Sequence, residues 1–220
     1  MAMPGKGNVK ITGTGTASGG DFGSVVITGE AIVQGDLRCE RFALRGTCTV
    51  EGGLSGKRLR LLGEAAIEGD LTADDLRLTG RIDARGALRC RTLVARGQCA
   101  AEGGVEAERL QARGALSVAG LLNAGHAEIR LHGPSRVRDI GGGTIEVRRG
   151  GLSWFAGGGA SELVAQTIEG DDVYLEHTRA DVVRGKRIEL GPGCRVGRVE
   201  YAEAFARHKS AEVREVRQAE

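Results

Sequence analysis

Four histidines, five cysteines and a scatter of aspartates are the side chains of this 220-residue chain whose chemistry could bind a metal or attack a substrate. His126 and His132 are close in sequence, yet with His177 and His208 they form no pair at the spacing of a known metal cluster, so we read all four as solvated surface residues. Cys39, Cys48, Cys90, Cys99 and Cys194 show no CxxC spacing and are odd in number, which argues against a zinc site and a disulfide framework. They read as small core residues in a reducing compartment. Asp36, Asp70 and Asp171 each follow a glycine, but the nonapeptide repeat of calcium-binding β-rolls is absent and aspartate is a favoured turn residue. Gly141 to Gly143 lack the lysine and flanking elements of a phosphate loop and read as a tight corner. The expectation is no catalytic residue, no metal and no cofactor: a protein that is not an enzyme.

The elements that would have to position any chemistry are set by an unusual composition. There are 37 glycines and only 3% aromatic residues, so a core must be built from Leu, Val, Ile, Ala and Cys around many tight turns. Thirty-one basic and twenty-nine acidic side chains are interleaved along the chain, which gives no reason to expect a nucleic-acid partner. MAMPGKGNVK lacks the apolar run of a signal peptide and no window approaches a membrane span, so a cytoplasmic protein is expected.

Glycines at 29, 46, 63, 80, 97 and 114 are each seventeen residues apart, and a second set at 35, 52, 69, 86, 103 and 120 follows by six. Such self-similarity is the mark of a solenoid. Counting each coil from its first glycine, the third, fifth, ninth, eleventh, fourteenth and sixteenth places are apolar in every one of the five regular coils except at Gly56, although 27% of the chain is charged. The columns pair as i, i+2, so each pair is the inward face of one short strand, and three strands make a coil. Glycine marks two corners and charge the third (Glu40, Lys57, Asp74, Arg91, Glu108). One coil of six buried side chains does not offset the ordering of seventeen residues, so stability must come from stacking. The prediction is an all-β fold: a single parallel β-helix with three short strands per coil of roughly 17 residues, about ten coils and about 50 Å tall.

The pattern extends outward. VKITG and VVITG, sixteen residues apart, start the solenoid near Asn8 with a looser linker, TGTASGGDFGS. Past Gly114 the coils are uneven, but Ile145 with Val147, Leu163 with Ala165, Val173 with Leu175, Ile188 with Leu190 and Cys194 with Val196 keep the i, i+2 signature. The predicted organisation is a flexible tail over 1–7, a β-helix over 8–201 with a loop at about 150–161, and a charged tail over 202–220 that is helical or disordered. Trp154 and Phe155 in the loop are candidate contacts for a partner or lipid, or a plug folded onto the solenoid's side.

At RLHGPSRVRDIGGGTIEVRR (Arg130 to Arg149) and IEGDDVYLEHTRADVVRGKRIELGPGCRVGRVEY (Ile168 to Tyr201) the chain resembles the bactofilins, bacterial polymer-forming cytoskeletal proteins, and especially their longer Bacillus-group relatives. The likeness covers roughly Val9 to Tyr201. It implies a right-handed β-helix that polymerises end to end without nucleotide into filaments lacking polarity. Such filaments scaffold cell-shape, wall-synthesis or motility machinery beneath the membrane. The implied partners are the chain itself, other bactofilin-like subunits and membrane-associated cell-envelope proteins, with membrane contact peripheral at most.

The end coils of a β-helix have unpaired backbone groups and an exposed apolar cross-section. Val9, Ile11 and Phe22 at one end and Val199, Tyr201 and Phe205 at the other are the candidate assembly interface. A monomeric or dimeric adaptor that recruits proteins on its flat faces is the alternative. The hexapeptide-repeat enzymes, such as acyltransferases, are a distant one, since their coils of eighteen do not space glycines six then eleven.

Overall fold

A computed structural model describes residues 7–151 and 161–219. Ten strands form one wholly parallel sheet in sequence order: β1 (Asn8–Val50), β2 (Leu54–Ile67), β3 (Leu71–Ala84), β4 (Leu88–Ala101), β5 (Val105–Leu131), β6 (Ser135–Arg149), β7 (Leu163–Leu175), β8 (Thr178–Leu190), β9 (Arg195–Arg207) and β10 (Glu212–Gln218). Each strand pairs with the one a coil away, so the sheet winds into a solenoid. Among the described residues there is no helix, and so none long and apolar enough to cross a membrane.

The pairing register is the seventeen-residue period itself: Leu37 lies on Leu54, Leu54 on Leu71, Leu71 on Leu88 and Leu88 on Val105. Every apolar residue of the six columns is buried, and together they form one continuous core. The predicted fold is the observed one. Charged third-corner residues, Glu40 to Glu108, are all exposed. Between β1 and β5 the strands end only at the second corner, as between Val50 and Leu54; at the third corner a single residue per coil, such as Glu40 or Lys57, drops out of the pairing register while the strand continues. The linker expected to be looser, Thr14 to Ser24, also runs as strand within β1.

The two glycine columns are glycine for different reasons. Gly46, Gly63, Gly80 and Gly97 have φ between +123° and +127°, and a Cβ at each would lie 2.0–2.1 Å from the carbonyl oxygen of the glycine beneath. At the second corner Gly52, Gly69, Gly86 and Gly103 have no such φ; there it is the neighbouring backbone, 2.6–2.8 Å from a built Cβ at the closest, that excludes a side chain. Asp36 and Asp70 serve this corner. Asp36 Oδ1 accepts from Gly53 N–H (2.8 Å) and Asp70 Oδ1 from Ala87 N–H (2.8 Å), so each carboxylate satisfies a corner donor one coil away. The Ala87 bond, with Arg89 beside it, holds the Asp70 carboxyl below its ordinary range. Asp171 instead pairs with Lys186 at 2.9 Å.

Past Gly114 the coil first lengthens, Val118 lying on Val137 nineteen residues on, and then shortens. The register slips between Val118 and Leu121, and Leu163 then lies on Thr178 fifteen residues on. The apolar pairs expected in this half are all buried. Gly142, within β6, stacks on Ala124 and under Gly170. Among the described residues two polar side chains enter the interior and both are satisfied: Ser135 Oγ accepts from Leu116 N–H (3.0 Å), and Thr178 Oγ1 donates to the Glu176 carbonyl (2.9 Å).

All five cysteines are free and buried. Cys39 and Cys90 share one column and Cys48 and Cys99 another, each pair three coils and so about 14 Å apart, beyond disulfide reach. Burial pushes the thiols of Cys39, Cys48 and Cys194 up to about 11 and those of Cys90 and Cys99 to about 12. At pH 8 a thiol reagent such as DTNB should label none of the five until the protein is unfolded, and all five afterwards. Rapid labelling of the folded protein would contradict this placement.

Candidate assembly surfaces

Among the described residues no segment covers the first coil. Gly23 N–H reaches the Gly7 carbonyl (2.8 Å) and closes that coil onto the second, leaving its outer edge unpaired. Val9, Ile11 and Phe22 are half-buried there, packed against the core from one side only. Three of the predicted interface residues are thus together at one end.

The other end lies further along than expected. Residues 202–218 are not a helix or a disordered tail: β9 continues to Arg207, and β10 adds a further partial coil on it, Val213 on Val196 and Val216 on Val199. Val199 is therefore fully buried and is not an end residue. The signal was in the period, since Cys194, Val196 and Val199 recur seventeen residues later as Ala211, Val213 and Val216. Charges flanking each of these residues hid it, as they do in any strand with one wet face.

Among the described residues the coil of β10 is partial. β10 covers the columns up to Tyr201, which Gln218 overlies, and ends before that of Phe205. Tyr201 and Phe205, ring centroids 5.7 Å apart, stand half-buried at this step, and Val216 is 44% exposed above Val199. The C-terminal surface is therefore Tyr201, Phe205, Val213 and Val216. Trp154 and Phe155 lie outside the described residues.

Cross-coil ion pairs tie these coils together. Arg184 meets Glu200 (2.6 Å), Arg198 meets Glu215 (2.8 Å), and Arg187 bridges Asp172 and Glu203 (2.6 Å to the latter). Hydrogen bonds from these arginines hold Asp172, Glu200 and Glu215 below the ordinary carboxylate range. A carboxylate with a lowered folded pKa adds stability above its unfolded pKa and loses it as pH falls through the folded one. All keep a substantial part of their side chains in solvent, so each pair is weak alone. Acidification through and below the usual carboxylate range should therefore fray β8–β10 before the coils of β2–β5, read as faster amide exchange there. Uniform exchange along the solenoid would contradict it.

The histidines gather nothing. His126, His132 and His208 are exposed; His208 Nδ1 contacts Ser210 Oγ (2.8 Å), and His177 is a part-buried corner residue with φ 44° whose ring lies over Gly193. Among the described residues no three of His, Cys, Asp or Glu are placed to hold a metal ion.

Charge, interleaved along the chain, is sorted by the fold. In the five regular coils the outward places thirteen, fifteen and seventeen carry Arg41 and Arg45, Arg58 and Arg60, Arg77, Arg96, and Arg109 and Arg113, against the single acid Asp75. The outward places two, four and six carry Glu30, Glu51, Glu64, Glu68, Asp83 and Glu102, against Arg81 and Arg85. One side of the triangle is basic and another acidic. A linear reading misses this because its sign alternates within a coil, whereas the face is assembled between coils.

No protein-family model matches the chain, and no solved structure matches it. Two proteins of Bacillus subtilis (strain 168) are similar: the uncharacterized protein YhbF, 49% identical over 83 residues, and the uncharacterized protein YhbE, 37% identical over 99 residues. These segments cover 37% and 44% of this chain and only 34% and 42% of those relatives.

Proposed function

We propose that the chain is a non-enzymatic structural protein of the bactofilin kind, which assembles end to end without nucleotide into cytoskeletal filaments and scaffolds envelope machinery at the inner face of the membrane. The observation that carries this reading is the state of the two ends. Among the described residues each presents an unpaired strand edge beside apolar side chains of the core cross-section, Val9, Ile11 and Phe22 at one and Phe205, Val213 and Val216 at the other. Such an edge is a template for another strand, and a second copy offers both the backbone partners and the matching apolar columns. The test is negative-stain electron microscopy with sedimentation velocity, in moderate salt without nucleotide or metal. Filaments or sheets are expected. A clean monomer or dimer would overturn the polymer reading in favour of an adaptor.

A further inference from the structure

We propose that the basic face of one copy docks on the acidic face of a second copy, so that solenoids associate side by side. This goes beyond end-to-end assembly and needs no contact at either end. Among the described residues only Arg77 of the eight face arginines has an acidic partner, Asp75 at 3.5 Å, and Glu30, Glu51 and Glu102 on the acidic face have no basic group within 4 Å. Both faces are built on the same ladder, with one coil every 4.8 Å or so, and a column of guanidinium groups therefore meets a column of carboxylates in step.

The relief also matches. The basic face projects long arginine side chains. The acidic face has small residues at its fourth place in three of the five coils, Thr49, Ala66 and Ala100, and dips into a groove of about 360 Å³ lined by Ala66, Ala100, Ser117 and Glu102, by Glu68 and Asp83, which pair with Arg85 and Arg81, and by Arg85 and Arg136. Glu102, without a basic partner at the edge of a shallow apolar floor, suits the flat, forked guanidinium, which hydrogen-bonds at its edge and packs at its face. Each face also exposes a large apolar side chain, Leu62 (53%) on the basic one and Ile32 (41%) on the acidic one. Five coils of one strand width present roughly 400 Å² a side, half of a standard interface, so a single contact is weak and gains by repetition along an assembled rod. The basic face has no aromatic side chain on which bases could stack.

The test is a charge swap. One variant carries Arg58→Glu with Arg109→Glu and the other Glu51→Arg with Glu102→Arg, all exposed outward positions three coils apart. Association is read by static light scattering at low and high salt, both with native ends and with Ile11→Arg to weaken end contacts. Self-association of the parent should fall steeply when the Debye length shrinks from about 10 Å to about 3 Å. Each variant alone should associate at least about tenfold more weakly, and mixing the two should restore it, because each then offers the face the other lacks. A mixture no better than its components would overturn the proposal. So would an Arg58→Glu, Arg109→Glu defect confined to co-sedimentation with phosphatidylglycerol vesicles or duplex DNA, which would assign the face to lipid or nucleic acid. Failure of filaments in the parent with rescue in the mixture would remove the end-to-end reading alone.

Discussion

Gly80→Ala should destabilise the solenoid by at least about 3 kcal/mol, and the loss should appear as a lower thermal midpoint of the β signal or as insoluble protein. Two terms add. At φ +125° the backbone is where an L side chain is strained, a cost of about 1–3 kcal/mol, and the new Cβ would stand 2.1 Å from the Gly63 carbonyl oxygen. Neither can relax locally, because the same glycine column holds Gly63 below and Gly97 above, and opening one step breaks pairing with both neighbouring coils. Gly133→Ala is the control. Its Cβ would find only Ala115 Cβ at 3.5 Å, so it should stay within about 1 kcal/mol of the parent. Equal melting of the two variants would mean that the glycine column is not what sets the coil spacing.

Ile11→Arg should stop assembly at the N-terminal end while leaving the circular dichroism of the β-helix intact, and Val9→Arg should do the same. Both side chains are half-exposed on the first coil, so the monomer tolerates arginine, but burying an unpaired guanidinium against a partner costs several kcal/mol. Since each 1.4 kcal/mol is about tenfold in affinity, the concentration needed for filaments should rise at least about a hundredfold. Val216→Arg should act likewise at the opposite end. The pair also reports polarity. If like ends meet, as in non-polar filaments, each single variant should leave dimers joined through its intact end; head-to-tail contacts should leave monomers. Polymers that persist in Ile11→Arg would discard the N-terminal interface.

The sequence by itself determined the coil, the columns and the place of the cysteines. This was possible because a solenoid writes its contacts into its own period: Leu54 meets Leu71 for the same reason that it is seventeen residues away. Where the period was masked by charge, as at Glu212 to Gln218, the last coil passed for a tail and Val199 for an end residue. Only the tertiary structure decided why Gly52, Gly69, Gly86 and Gly103 are glycine, since no unusual φ marks them and the excluding atoms belong to another coil. It also decided where charge lies. The net +2 of the chain says nothing about faces, because winding puts Arg41, Arg58 and Arg109 in one column and Glu51, Glu68 and Glu102 in another. Residues a coil apart are strand neighbours at about 4.8 Å, whereas residues a few positions apart along the chain stand on different sides of the triangle.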